Sequence, residues 1–547
     1  MDNNANERRA MLALLLSIAV YFVWTTFIMP PPQPPVELPA ETPATPVADT
    51  DPVTAPAPTP APAVVVPDRT VSLSMKDFQG EVRSIDGAAR SIDLRDYTAA
   101  PEVTPIYSWV FGLITGSSET EGGWQPYAGG DEPYEMLSEE GAVVLAGAGS
   151  LAPAQGYLLE ERDGALIATH TDPGAGLTIT KEYRQGAQPY TMDVTVTFQN
   201  GSSQAVPVWV GIAEAMSGDA GRFQNAVRPV AYVDGGIEHF DDLEDLEGDG
   251  VETRQEALAW YGISDRYFMT VLRPTEADLN TLVVDQLPDG RYGSFAQSQL
   301  DAGGTKTLAF QAYIGPKQLD ILEEISPEMG EAVELGWFGF FARILLFLLK
   351  IFQAGVVNWG IAILLLTLLV KVLFFPLTQR SFKSSRKMQA IQPQLQAIRE
   401  KYKDNQQLQQ QETMKLFSEH GVNPVSGCLP MLIQLPVFLA LYNVMLYSVE
   451  LYDSSFLYLQ DLTVEDPYGV LPIAYAVLIL GQQSMMPMGN MDPTQRQVMR
   501  LMPLMFAAFM FTFPSGLVLY FCCNILLTIG QQWLINRSIK VEAPANA

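Results

Sequence analysis

Lys371 is the residue of this sequence best placed to do chemistry, because it stands alone in the apolar run LLLTLLVKVLFFPLT (364–378). A charge at the centre of a bilayer costs about 2.5–3.5 kcal/mol on insertion scales, so it marks a partner, a wet cavity or a route to the headgroups. Lys371 precedes Pro376 by five residues, which sets it roughly 7 Å inside the end of the run by helical rise. Snorkelling to the headgroups is one reading of that depth. Thr367, one turn earlier on the same helical face, supports another. A second polar stripe, Asn524, Thr528, Gln531 and Gln532, recurs at near-helical spacing in the last apolar block, and Gln434 adds an amide to a third. Facing stripes would enclose a hydrated cavity, open toward the cytoplasm, where a cation attracts an acidic segment.

Other chemistry-like patterns are weaker. Asp245, Glu247, Asp249, Gly250 and Glu256 fit a calcium loop loosely, but Glu252 occupies the usually apolar eighth position and no flanking helix pair is evident. An acidic turn is expected instead. Gly147, Gly149 and Ala152 imitate a dinucleotide fingerprint, yet Pro153 stands where a helix should continue. His170, His239 and His420 are the only histidines, and Cys428, Cys522 and Cys523 all fall in apolar segments. No dense His/Cys metal cluster is available, so no metal, cofactor or catalytic residue is expected. The acidic middle of the chain holds no cysteine and therefore no disulfide framework.

The elements that position these residues follow from composition. The 547-residue chain has a formal charge of −28, and residues 30–330 account for all of it. So acidic a region excludes direct nucleic-acid recognition, which needs clustered Lys and Arg. Residues 1–29 read as an N-terminal transmembrane anchor: Arg8 and Arg9 precede an apolar run of about 20 residues, long enough to cross the bilayer core. A cleaved signal peptide is the rival reading, opposed by the length of the run and by Pro30, Pro31 and Pro32 in place of a cleavage site. Residues 30–67, rich in Pro and Ala, read as an extended linker. Short alternating runs punctuated by Gly turns over 68–326 predict one large antiparallel β domain outside the cytoplasm. Residues 327–350 then predict an amphipathic interfacial helix, and 351–540 a helical membrane core, followed by a short tail, 541–547. Counting the anchor, apolar blocks at 10–29, 356–375, 428–447, 470–486, 498–513 and 515–535 make six spans, with kinks expected at Pro430, Pro436, Pro472 and Pro503.

Loop charge sets the orientation. Residues 376–426 carry Arg380, Lys383, Arg386, Lys387, Arg399, Lys401, Lys403 and Lys415, whereas 448–468 carry only acids. The first segment is therefore expected in the cytoplasm with both termini, and the β domain across the membrane. Within it, Met388, Ile391, Leu395, Ile398 and Tyr402 share one helical face, and a second helix is expected to stop at Gly421. A cytoplasmic helical hairpin over 379–421 is predicted, either a packed, solvated element or a docking site for an incoming chain or a ribosome.

LLLTLLVKVLFFPLT, VNPVSGCLPMLIQLPVFLALY (422–442), DPYGVLPI (466–473) and FPSGLVLYFCCN (513–524) resemble the YidC family of membrane protein insertases. The resemblance covers about 330–540 in the family's order. The anchor and acidic domain are similar to its Gram-negative form, whose periplasmic domain is a β-supersandwich, through scattered matches such as residues 260–268. It implies a polytopic α-helical bundle with a five-span core around a hydrophilic groove, open to cytoplasm and lipid and closed toward the periplasm. The groove's basic residue, usually Arg, falls on Lys371, its threonine on Thr367 and its glutamine on Gln434. Tyr520 is retained, and Phe521 stands where a tyrosine is common. The implied partners are nascent inner-membrane proteins, the Sec translocon, translating ribosomes and membrane lipids; the implied function is insertion and chaperoning at the bacterial inner membrane, without an enzymatic step. The C-terminus, VEAPANA, lacks the long basic tail of some members. Two other classes remain open: a transporter or channel, which needs a pathway to both sides, and a membrane-anchored carbohydrate-active enzyme, which needs converging carboxylates in a β-domain cleft.

Overall fold

The computed structural model describes residues 67–538 except 100–101, 104, 107, 109–124, 129–132, 139, 216–226, 241–251, 256–257, 276–278, 280, 404, 422–428 and 486–492. The expected anchor 1–29, the linker up to residue 66, the tail 541–547, Cys428 and the acidic turn at Asp245, Glu247, Asp249 and Gly250 lie outside the described residues. The described residues all belong to one compact unit, Ala61–Met216 with Asn225–Ala547.

Period-2 patterning makes the first half β. In Leu177–Gln185 the side chains of Ile179, Lys181 and Tyr183 point inward and are buried, and Met192, Val194, Val196 and Phe198 do the same in Thr191–Asn200. Among the described residues the strands form two nine-stranded sheets and a small two-stranded one. The first sheet runs in the order Thr70–Ser74, Phe78–Arg83, Ala89–Thr98, Ala142–Ala148, Val206–Glu214, Tyr292–Leu300, Thr281–Gln286, Glu252–Gln255, with Pro133–Leu137 pairing on Ala89–Thr98. The second runs Gly236–His239, Arg228–Val233, Leu258–Ser264, Phe268–Pro274, Thr305–Pro316, Thr191–Asn200, Leu177–Gln185, Ala165–Asp172, Tyr157–Arg162. Neighbours pair antiparallel, with Val194 opposite Phe310 and Val210 opposite Ala296. The sheets face each other across a core that includes Val210, Ile212, Trp260 and Tyr261, and Tyr261 Oη donates across it to the Val210 carbonyl at 2.9 Å. This is the sandwich expected from the alternation.

The dinucleotide-like glycines have another cause. Gly147 lies in the strand Ala142–Ala148, where a Cβ would stand 2.6 Å from Trp209 Cζ2, so the glycine makes room for the indole.

The helical half begins with α1 (Leu319–Ile325) and α2 (Pro327–Gly330), followed by α3 (Gly339–Val356) and α4 (Trp359–Ala390). Then come α5 (Gln392–Lys401), α6 (Gln406–Glu419), α7 (Leu429–Tyr447), α8 (Val470–Met485), α9 (Pro493–Phe509) and α10 (Ser515–Ser538). Among the described residues three helical segments are long and apolar enough to cross a membrane: Gly339–Val356, Trp359–Arg380 and Ser515–Ile535. The apolar parts of α7, α8 and α9, Leu435–Tyr447, Val470–Met485 and Leu501–Thr512, are shorter. Pro436 and Pro503 lie inside α7 and α9, and helices this short cover less than the roughly 30 Å of a hydrocarbon core.

Two boundaries differ from the sequence reading. The interfacial helix was expected over 327–350, but α3 starts at Gly339. Gly336, at φ +68°, turns the chain there, where a Cβ would meet Asn443 Nδ2 at 2.3 Å, and Asn443 donates to the Leu335 carbonyl at 2.9 Å. The helix is polar toward α1, with Arg343 paired to Glu323 and Lys350 to Asp320 at 2.7 Å, while Trp337, just before it, and Phe340 and Phe347 are exposed. The second difference is at Pro376, which lies inside α4 without ending it, so the span runs directly into the first arm of the hairpin.

Candidate functional site

Ala362, Ile363 and Leu366 are buried where α4 packs along α10. Thr367 follows on that face, and its hydroxyl donates back to the Ile363 carbonyl at 2.7 Å, which satisfies a buried polar group inside its own helix. Lys371, one turn later, is half-buried and reaches across to α10, where its Nζ donates to Thr528 Oγ1 at 2.8 Å. Thr528 in turn donates to the Asn524 carbonyl at 2.6 Å, so its proton is committed and its lone pairs face the ammonium. The two polar stripes thus meet at a specific bond. Further along α10, Gln531 and Gln532 are buried, and among the described residues Gln531 Nε2 and Gln532 Oε1 have no hydrogen-bond partner. Such groups favour hydration or a polar ligand.

Sequence reasoning missed Cys523 as a member of this cluster. Its thiol hydrogen-bonds with the Thr367 side chain and lies within electrostatic reach of Lys371. Helical spacing gave no clear signal for it, because adjacent residues lie about 100° apart on a helix and Cys523 flanks the stripe of Asn524 and Thr528 rather than standing on it. Cys522 points elsewhere, its Sγ 3.5 Å from the Leu471 carbonyl of α8. Tyr520 and Phe521 are buried, and the Phe521 ring contacts Phe438, Tyr475, Phe506 and Tyr520, joining α7, α8, α9 and α10. A packing role suits Phe521, and it needs no hydroxyl. The side chain of Gln434 lies outside the described residues, although its backbone belongs to α7.

Residues 448–468 fold against the end of the bundle nearest the β domain. Leu451, Leu459 and Leu462 are buried there, and Phe456 packs on Gly360 at the start of α4, where a Cβ would stand 2.2 Å from its ring. Ser515 and Gly516, which open α10, donate backbone N–H groups to the Val464 and Leu462 carbonyls at 2.7 and 2.9 Å. Asp466 accepts from Leu471 N at 2.7 Å and from Tyr458 Oη at 2.9 Å, which ties the segment to the N-terminus of α8. Asp461 is fully buried and accepts from the Thr463 amide and hydroxyl at 2.7 and 2.8 Å. Burial outweighs those bonds and pushes its carboxyl up to about 6. The acid-only loop is therefore a folded plug. Lys371 lies twelve residues along α4 from that end, just past the middle of its apolar segment Trp359–Arg380.

The same plug meets the β domain. Tyr452 packs among Tyr97, Tyr134, Tyr267 and Phe268, Thr98 Oγ1 donates to Asp453 at 2.7 Å, and Lys350 bridges Asp320 and Glu450 at 2.7 and 2.8 Å.

In the hairpin, Ile391 and Leu416 are buried against Met388, Leu395, Ile398 and Phe417. The apolar seam closes the hairpin on itself. Tyr402 stands outside that cluster, with Lys401 Nζ 5.2 Å from its ring centre. Asn405 caps α6 by accepting from Leu408 N at 3.1 Å, and Gly421, at φ +56°, follows its end.

Residues 151–348 match the family described as YidC periplasmic domain, and 351–543 the family described as 60Kd inner membrane protein. The membrane protein insertase YidC of Geobacter metallireducens is 33% identical over 97% of this chain and 99% of its own length. That of Marinobacter nauticus is 36% identical over 76% of this chain and 74% of its own. A solved structure described as an active YidC insertase with the first transmembrane domain resolved covers 85% of this chain and 94% of that one, at 18% identity and a TM-score of 0.35.

Proposed function

This chain belongs to the YidC family of membrane protein insertases, a non-enzymatic family, and from that premise we propose that it receives nascent hydrophobic segments from the cytoplasm and releases them into the bacterial inner membrane. The observation that carries the reading is the 33% identity to an insertase over nearly the whole of both chains, and the Lys371–Thr528 bond between α4 and α10 supplies its chemistry.

A hydrophilic groove between these helices, lined by Lys371, Thr367, Asn524 and Thr528, with Gln434 of α7 expected from the sequence as a further member, admits a segment whose N-terminal tail is polar or acidic. The tail is held transiently by the ammonium. The apolar part then leaves into lipid, driven by burial at about 25 cal/mol per Å², while the groove shortens the apolar distance the tail crosses. The plug at 448–468 supports a groove closed on the side of the β domain, which weighs against a transporter with access to both faces.

In this reading six spans include the anchor and the short helices α7, α8 and α9, both termini are cytoplasmic, and the β domain is periplasmic. The cytoplasmic hairpin meets the substrate first. Because its apolar seam is used internally, contact falls to its outer, basic face. Translating ribosomes, the Sec translocon and membrane lipids are the expected partners, with chaperoning as a second output.

The test is the purified full-length protein in liposomes, without a translocon, supplied with a small single-span substrate bearing an acidic tail. Protease protection of the tail supports the reading; no protection with well-folded protein contradicts it.

A further inference from the structure

Lys371 has three N–H donors and, among the described residues, one hydrogen-bond acceptor, Thr528 Oγ1 at 2.8 Å. No carboxylate of the described residues pairs with it. The acceptor is oriented: Thr528 spends its own proton on the Asn524 carbonyl at 2.6 Å, so the hydroxyl presents only lone pairs to the ammonium. A long, flexible lysine at this depth has a competing conformation, reaching along its own helix toward the headgroups. The bond to Thr528 opposes that escape and turns the charge toward α10, where Asn524 and Gln531 continue the polar stripe.

We propose that Thr528 is a positioning residue for Lys371: its hydroxyl is a resting stand-in that holds the ammonium over the groove until a carboxylate of the incoming tail replaces it. The exchange is favoured because a carboxylate brings a full opposite charge to the ammonium, where the hydroxyl offers only a dipole. It is also reversible, because the hydroxyl remains in place to take the ammonium back when the tail moves on. The ligand is thus an aliphatic carboxylate on an extended segment. The proposal rests on the insertase reading and adds to it which residue sets the resting position of the charge. The isosteric change Thr528→Val removes the lone pairs and keeps the shape, and Thr528→Ser keeps the acceptor.

The experiment uses the full-length protein in liposomes with two single-span substrates differing only in tail Asp or Asn. Thr528→Val is expected to lower the insertion rate of the Asp-tailed substrate by roughly tenfold. The Asn-tailed substrate should change by less than about twofold, Thr528→Ser should stay near the wild-type rate, and Thr528→Val should add nothing in a Lys371→Met background. A purely structural role would slow both substrates alike. Equal losses on both tails, or a wild-type rate in Thr528→Val, overturn the proposal while the insertase reading stands; failure of the wild type itself on both substrates overturns both.

Discussion

Two of the lysines that leave the aqueous phase in this molecule, Lys181 and Lys371, do so differently. Lys181, in the sandwich core, is fully buried, donates to the Asp86 and Val144 carbonyls at 2.7 Å each, and lies 4.5 Å from the Tyr157 ring centre. Its partners are backbone atoms that no ligand can displace, and burial lowers its pKa from 10.5 to about 7. The carboxylate of Asp86 is itself paired to Arg90. Lys371 is half-buried, is held by one neutral hydroxyl and sits at the seam of two helices. A buried charge is therefore not a functional one by virtue of burial. What distinguishes Lys371 is a partner that can be exchanged.

The largest effect that would break this contrast is on stability. Lys181→Ala leaves a cavity and two carbonyls without their donor and should destabilise the protein by about 3–5 kcal/mol, read by urea unfolding of the full chain through the fluorescence of the buried Trp209 and Trp260. A loss below about 1 kcal/mol would mean that the lysine is not a structural tie.

The pH dependence sharpens the same point. Because the folded pKa of Lys181 lies below the unfolded value, the unfolded chain binds more protons between about 7 and 10.5. Stability from this group is therefore present at high pH and is lost as pH falls toward 7, with a slope of up to about 1.4 kcal/mol per pH unit. Lys181→Met should flatten that part of the profile. Asp461, raised from 3.8 to about 6, has the opposite sign: its contribution is full below about 4 and is lost as pH rises through 6.

Lys371 should invert the pattern of Lys181. Lys371→Met removes an intramembrane charge whose partner is a single hydroxyl, so thermal unfolding should shift by no more than the equivalent of about 1 kcal/mol while insertion of acidic-tailed substrates drops. Unfolding of that variant would erase the distinction between the two lysines. The smallest effect is expected for Lys371→Arg. It keeps the charge that the account requires and should insert the same substrates within about twofold of wild type.

The membrane region was legible in the sequence because lipid demands long apolar runs, against which Lys371, Thr367 and Thr528 stand out. Strand alternation made the β domain legible for a similar reason. Lys181 was not, since a single polar residue on the inward face of Leu177–Gln185 carries no sign of which carbonyls will receive it. The plug at 448–468 was read only as the acidic counterpart to a basic loop. Its contacts, Asp466 with α8 and Tyr452 with the sandwich, join residues far apart in sequence. The hairpin seam was visible by its period, but periodicity names an apolar face without naming what covers it, and Leu416 and Phe417 do so here. The start of α3 depended on a glycine turn packed against Asn443, a long-range contact that composition does not encode.

The central claim is that the charge of Lys371 recognises an acidic tail. Its most direct measurement is the insertion rate of Lys371→Glu in liposomes for the same substrate with tail carboxylates or the corresponding amides. The account predicts a loss of roughly tenfold or more with carboxylates, from repulsion replacing attraction, and a markedly smaller loss with amides. Equal rates for Lys371→Glu and wild type on the carboxylate tail would contradict it.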